Sequence, residues 1–205
     1  MNFSPSTGAV IQIAGRHRGP AILDSAAPHP VHGRYTIVAC EPVATFSHQP
    51  EHGDPFQVMR ALLRATGLLT PAARPADLPF AGGWIGYFAY EAGRYIERLP
   101  ATTVADVGLP LARFSLYDSA AIHDHLTGRW TVVAADFRGR TTEPWATAYP
   151  SPDPLHRVAW WRDLLASASA CEPSRFPSPP PYGPINFNLT RDRHLQAVQR
   201  ACEYI

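Results

Sequence analysis

Lysine is missing from this chain: all 18 basic residues among its 205 are arginine. No lysine can therefore serve as nucleophile, Schiff-base former or general base. Excess charge is missing too. The formal net charge is +1, which leaves no basic face for nucleic acid and no polybasic patch for an anionic membrane. No apolar run approaches the roughly 18 residues that span a bilayer. The start, Met-Asn-Phe-Ser-Pro-Ser-Thr-Gly, has neither the basic opening nor the apolar core of a signal peptide. The chain reads as cytoplasmic, with no nucleic-acid and no membrane partner. Cysteine is scarce: Cys40, Cys171 and Cys202 stand far apart and form no Cys-x-x-Cys pair, so they read as free thiols of a reducing compartment. What is present, 45% hydrophobic against 17% charged residues, suits a folded core.

The common catalytic signatures are lacking as well. There is no Gly-x-Ser-x-Gly elbow and no His-Glu-x-x-His. Gly82-Gly83-Trp84-Ile85-Gly86 has the wrong spacing for a dinucleotide fingerprint and no lysine to make a phosphate loop. Tight backbone packing explains these glycines better. His123 and His125 share one face of a strand but lack a third ligand at diagnostic spacing, so they read as polar residues near a turn rather than as a metal site. Asn188-Leu189-Thr190 matches a glycosylation acceptor, yet Thr190 is better used as a helix cap.

The organisation follows from periodicity and punctuation. Residues 9–14 and 20–24 read as short strands. Residues 35–40 alternate, with Tyr35, Ile37 and Ala39 on one face and Thr36, Val38 and Cys40 on the other. Asp54-Pro55 opens a helix lined by Phe56, Met59, Leu62 and Leu63 and stopped by Gly67. Residues 68–79 read as loop. A glycine-aromatic strand follows and becomes helical from Glu91 until Pro100 stops it. Residues 111–135 form a meander: strand 111–118, a run 120–125 that continues or pairs with it, a Leu-Thr-Gly-Arg turn, and a return strand. Asp153-Pro154 opens a second helix with Leu155, Val158, Trp161, Leu165 and Ala168 at helical spacing. Residues 171–187 carry six prolines and read as an exposed linker. Thr190 caps a last helix with the seam Leu195, Val198, Cys202 and Ile205. That seam meets the carboxyl terminus without a stop signal, so the expectation is a chain cut short.

One loop holds a set of groups suited to a free amino acid. A strand end delivers Asp24 and Ser25, and the connection closes on His32-Gly33-Arg34-Tyr35. Ser25 offers a hydroxyl, Arg34 a carboxylate-matching fork and Tyr35 an aromatic wall. On the residues alone this reads as an ordinary loop.

Residues 79–100, Pro-Phe-Ala-Gly-Gly-Trp-Ile-Gly-Tyr-Phe-Ala-Tyr-Glu-Ala-Gly-Arg-Tyr-Ile-Glu-Arg-Leu-Pro, resemble the amino-terminal signature of chorismate-utilising enzymes, the large subunits of aminodeoxychorismate synthase and anthranilate synthase. Residues 22–25, 34–42, 109–118 and 186–205 resemble further segments of that family, in order. The wording Asp24-Ser25 and Thr36-Ile37-Val38-Ala39-Cys40-Glu41-Pro42 is closer to the aminodeoxychorismate branch. The resemblance implies an α+β fold of packed mixed or antiparallel sheets with outer helices, which the meander also fits. It implies an amino-terminal domain at 1–170, the linker at 171–187, and at 188–205 the opening of a chorismate-binding domain. It implies an L-tryptophan pocket served by Ser25, His32, Gly33, Arg34 and Tyr35, of which His32 and Gly33 depart from the family's wording. Chorismate, Mg2+, a catalytic lysine and a glutamine amidotransferase subunit would all be engaged downstream of this chain, which by itself is expected to be inactive. The alternatives are an anthranilate synthase large subunit and a free-standing, non-catalytic amino-acid-binding regulatory module.

Overall fold

The structure, a computed structural model, describes residues 5–25, 29, 32–69, 78–100, 108–140, 142, 144–170, 183, 187 and 189–204. The chain divides into two compact units, Met1–Pro173 and Ser174–Ile205.

The first unit holds two antiparallel four-stranded sheets. Strands β1 (Ala21–Leu23), β2 (Tyr35–Ala39), β6 (Ser119–Asp124) and β7 (Arg129–Ala134) form one, in the order β1-β2-β6-β7. Strands β4 (Gly83–Phe88), β5 (Ala112–Tyr117), β3 (Ala44–Ser47) and β8 (Thr147–Ala148) form the other, in the order β4-β5-β3-β8. Strand alternation gives each sheet two different faces. Val38, Cys40 and Ala121 of the first sheet pack with Val10, Trp161 and Leu164 from helices α1 (Thr7–Ala14) and α3 (Pro154–Ser169). Its other face, Ile37, Ala39, Ala120, Ile122 and Val133, meets Tyr117 and Ile85 of the second sheet. The second sheet then buries Ala44, Phe46, Ala112 and Leu116 against Val58, Met59 and Leu62 of helix α2 (Pro55–Ala65). Helices thus cover two packed sheets, the α+β arrangement expected.

The chain passes between the sheets three times, at the β2–β3, β5–β6 and β7–β8 connections. The β2–β3 connection passes through Glu41, the only described non-glycine residue with a positive φ, at 53°. The β5–β6 connection passes through Asp118, where the chain continues into the other sheet rather than pairing with itself. Arg157 of α3 ties the first two of these crossings: its Nε donates to the Asp118 carboxylate at 3.0 Å and its Nη2 to the Glu41 carbonyl at 3.0 Å. Ser119 and Ser151 hydroxyls also donate to Asp118, and the Trp161 indole donates to Ser119 Oγ at 3.1 Å.

Local signals explain most elements. Asp54 and Asp153 accept from the amides of Phe56 and Leu155, each followed by proline in the first turn. Gly67 takes φ 72° after α2. The hairpin of β6 and β7 turns where Leu-Thr-Gly-Arg lies. Three expectations need correction. Residues 9–14 are helix, because Ser6 caps Ala9 and because Ala9, Val10 and Ala14 make a helical stripe. The buried face of α3 is Arg157, Trp161, Leu164 and Ala168, while Leu155 is exposed. The segment after β4 is a 3-10 turn over Tyr90–Tyr95, not a helix over 91–98.

In the second unit, helix α4 (Arg191–Glu203) starts where Thr190 accepts from Arg193 N. Most of the linker expectation at 171–187 and most of the loop expectation at 68–79 fall outside the described residues, as do Cys171 and Ile205.

Candidate functional site

The candidate loop closes the β1 end of the first sheet. Leu23 pairs with Ile37, so the same register, carried on, sets Asp24 against Thr36 and Ser25 against Tyr35. The first of these is realised: Thr36 Oγ1 donates to Asp24 Oδ1 at 2.5 Å. Ser25 is half-buried, and alternation assigns it to the opposite face, with Tyr35. The sequence-level picture of Asp24 and Ser25 acting side by side therefore splits between two faces.

His32 is exposed; its amide donates to His29 Nδ1 at 3.0 Å and the two rings stack at 5.0 Å. Gly33 is buried and donates to the His29 carbonyl at 3.0 Å. Residues 26–28, 30 and 31 lie outside the described residues.

Arg34 is engaged across the sheet. Its Nε lies 3.3 Å from both oxygens of Asp124 and its Nη2 donates to Asp124 Oδ2 at 2.8 Å. The guanidinium sits 4.8 Å from the Tyr35 ring centre. This fork holds the Asp124 carboxyl down to about 2. A ligand carboxylate approaching Arg34 must share it with Asp124 or displace Asp124, so Arg34 first of all sets Tyr35 and joins β2 to the β6–β7 turn. The His125 amide, donating to the Arg34 carbonyl at 2.8 Å, reinforces that junction.

The structure thus brings Arg34, Tyr35 and Asp124 together, with Ser25 at the neighbouring strand end. Sequence reasoning missed Asp124 because its partner stands 90 positions earlier, and only the β2–β6 pairing, Tyr35 opposite Asp124, makes them neighbours. A separate cavity of about 310 Å³ lies between Val43, Leu116, Phe137, Arg140 and Tyr149. There Arg138 is held by Asp136 and Asp153, and Arg140 by the Thr66 carbonyl. Among the described residues no three His, Cys, Asp or Glu side chains converge on a cation site.

Residues 21–205 match the family described as chorismate binding enzyme. The chain is 31% identical to anthranilate synthase component 1 of Streptomyces coelicolor over 209 residues, covering 100% of this chain and 38% of that protein. It is 31% identical to aminodeoxychorismate synthase component 1 of Salmonella typhimurium over 167 residues, covering 73% of this chain and 34% of that protein. A crystal structure of anthranilate synthase component I from Streptococcus pneumoniae overlays with a TM-score of 0.49 at 18% identity, over 72% of this chain and 32% of the other. The chain therefore spans about a third of the length of these relatives. With the family match extending over nearly the whole sequence, this chain belongs to the chorismate binding enzyme family.

Proposed function

We propose that this chain is the amino-terminal portion of an aminodeoxychorismate synthase large subunit, whose complete form replaces a hydroxyl of chorismate by an amino group and so supplies the precursor of 4-aminobenzoate. The observation that carries the reading is a likeness to component 1 enzymes over 73% to 100% of this chain but only about a third of theirs. The wording at Asp24-Ser25 and at 36–42 favours the aminodeoxychorismate branch. In the complete enzyme, chorismate, Mg2+ and a catalytic lysine belong to the carboxyl-terminal part, with ammonia delivered by a glutamine amidotransferase subunit. The 205 residues alone form no product from chorismate with glutamine or ammonia. Anthranilate synthase is the second reading, favoured by the Streptomyces coelicolor relative, which matches all of this chain. The test is product analysis of the complete gene product with chorismate, Mg2+ and ammonia. Aminodeoxychorismate supports the first reading and anthranilate the second. Product from the 205-residue chain alone overturns both.

The loop is proposed as part of an L-tryptophan site. Ser25 accepts from the ammonium or the indole N–H, and Tyr35 provides a wall held in place by Arg34. His32 and Gly33 contribute through backbone. An unpaired buried charge is costly, and losing a hydrogen bond to a charged group weakens binding by about ten- to a hundred-fold. Calorimetry on the complete, tryptophan-free protein should show Ser25→Ala binding tryptophan at least several-fold more weakly. Equal affinity in wild type, Ser25→Ala and Arg34→Ala removes both residues from the site.

A further inference from the structure

The helix-covered face of the first sheet ends in a row of polar groups outside the amino-acid loop. His123 stands opposite Thr36 on β2 and opposite Trp130 on β7. Its ring centre lies 5.0 Å from that of Trp130 and 4.8 Å from that of His125. His125 Nε2 lies 2.7 Å from Thr36 Oγ1. Thr36 is fully buried and gives its proton to Asp24, so the hydroxyl can only accept from His125, which fixes that imidazole as a donor at Nε2. His123 is different. Its Nδ1 is buried and has no hydrogen-bond partner.

We infer that His123 and His125 form an acid-sensitive latch, which holds the β6–β7 turn against β2 near neutral pH and lets it open as the solution is acidified. Neutral His123 keeps only a lone pair at Nδ1. A second proton on the ring places a charged N–H where no acceptor waits, and a buried donor without a partner is costly. It also places a charge against the neighbouring imidazole of His125, whose ring centre lies 4.8 Å away. Opening the end of the hairpin hydrates Nδ1 and separates the two rings.

The surrounding charges do not cancel this. Asp24 at the end of β1 is occupied by Thr36. Asp124 on β6 is occupied by Arg34, and Arg129 on β7 stands opposite it. Helix α1, which packs on this face, has no ionisable residue in Thr7–Ala14. The ionisable residue on the buried face of α3, Arg157, is paired with Asp118. Burial and the neighbouring His125 outweigh Asp124 and the Gly128 carbonyl, and His123 is held below its ordinary 6.5. The segment that opens carries the His125 amide bond to the Arg34 carbonyl, together with the Arg34–Asp124 pair. Acid thus loosens the frame of the Tyr35 loop whether or not tryptophan binds there.

The experiment is amide hydrogen exchange on the 205-residue chain at pH 7.5 and 5.5, corrected for intrinsic exchange chemistry and read at His125 and Gly128. Ile37 and Val38 in the middle of β2 serve as references. Protection at His125 should fall relative to the references on acidification, by at most about ten-fold at pH 5.5 for one imidazole with an ordinary open-state pKa. His123→Phe keeps an aromatic ring against Trp130 and should abolish the difference. His125→Gln keeps a donor for Thr36 and should shrink it. Unchanged protection in the wild type, or the same acid response in His123→Phe, overturns the latch. Should His123→Phe fail to fold, the wild-type ring titration followed by NMR decides. A midpoint for His123 below the ordinary 6.5 supports the latch, and a midpoint at or above it overturns it.

Discussion

Replacing Arg157 by methionine should be the most damaging conservative change in the first unit. The guanidinium is 8% exposed and its Asp118 partner 1% exposed. Removal leaves an ionised carboxylate in the protein interior with only the hydroxyls of Ser119 and Ser151. It also strips the Glu41 carbonyl of its donor. Glu41 already holds a left-handed backbone at φ 53°, which costs an L-residue about 1–2 kcal/mol, so the crossing loses a brace where it is strained. Breaking a buried pair from one side costs about 3–5 kcal/mol, against a total stability of about 5–15 kcal/mol for an ordinary domain. The assay is urea unfolding followed by tryptophan fluorescence, for which Trp161 is well placed through its bond to Ser119. Both sheets hang on this arginine, so the loss should appear as one cooperative transition with an unchanged slope. The double variant Asp118→Asn/Arg157→Met removes both charges and should be more stable than Arg157→Met alone, because the penalty lies in the charge left behind. A loss below about 1 kcal/mol for Arg157→Met, the range of an exposed pair, refutes the reasoning. So does a double variant whose loss is the plain sum of the two singles.

The Arg34–Asp124 pair should contribute stability that is present above the ordinary carboxylate range and fades as the pH falls through about 2; partial exposure limits it to about 1 kcal/mol or less, and acid unfolding curves that coincide for wild type and Arg34→Leu would count against it. Gly86→Ala should destabilise by about 2 kcal/mol or more, because the new methyl collides with the Arg113 carbonyl and lies 2.6 Å from Phe114 Cα; a thermal midpoint equal to wild type contradicts this. Burial pushes the Cys40 thiol up to about 12, so at pH 8 Cys40 should resist alkylation until denaturant is added, as peptide mass mapping can show, while exposed Cys202 reacts in the native protein.

How much was legible depends on the range of the interaction that decides each feature. Caps act within three residues, and Asp54, Asp153 and Thr190 were readable as helix starts. Alternation acts within a strand, so the two faces of β2 were assigned correctly. Helix α1 was hidden by Val10, Ile11 and Ile13, whose branched side chains suit a strand. There the Ser6 cap and the covering of Val10 and Ala14 against the first sheet prevailed over propensity.

The polar residues were the least legible, and for one reason. A charged side chain in a helical pattern is read as solvent-facing, because a charge normally stays out of the core unless it is paired. Arg157 breaks that reading because its partner, Asp118, is 39 positions away and lies at a crossing that periodicity cannot locate. Arg34 breaks a functional reading in the same way. Its fork suggested a ligand carboxylate, and the fold supplies Asp124 from another strand. In both cases the sequence displays only half of a pair, and at Arg34 that half looks like a site. The proposed tryptophan pocket therefore rests more firmly on Ser25 and Tyr35, which the β1–β2 register sets on one face, than on Arg34. A charge-preserving Arg34→Lys separates the two roles. Lysine keeps the positive charge but loses the two-pronged hold on Asp124. If Arg34 chiefly positions Tyr35, Arg34→Lys should weaken tryptophan binding nearly as much as Arg34→Ala. Should Lys instead restore most of the affinity, Arg34 meets the ligand directly and the positioning role is wrong.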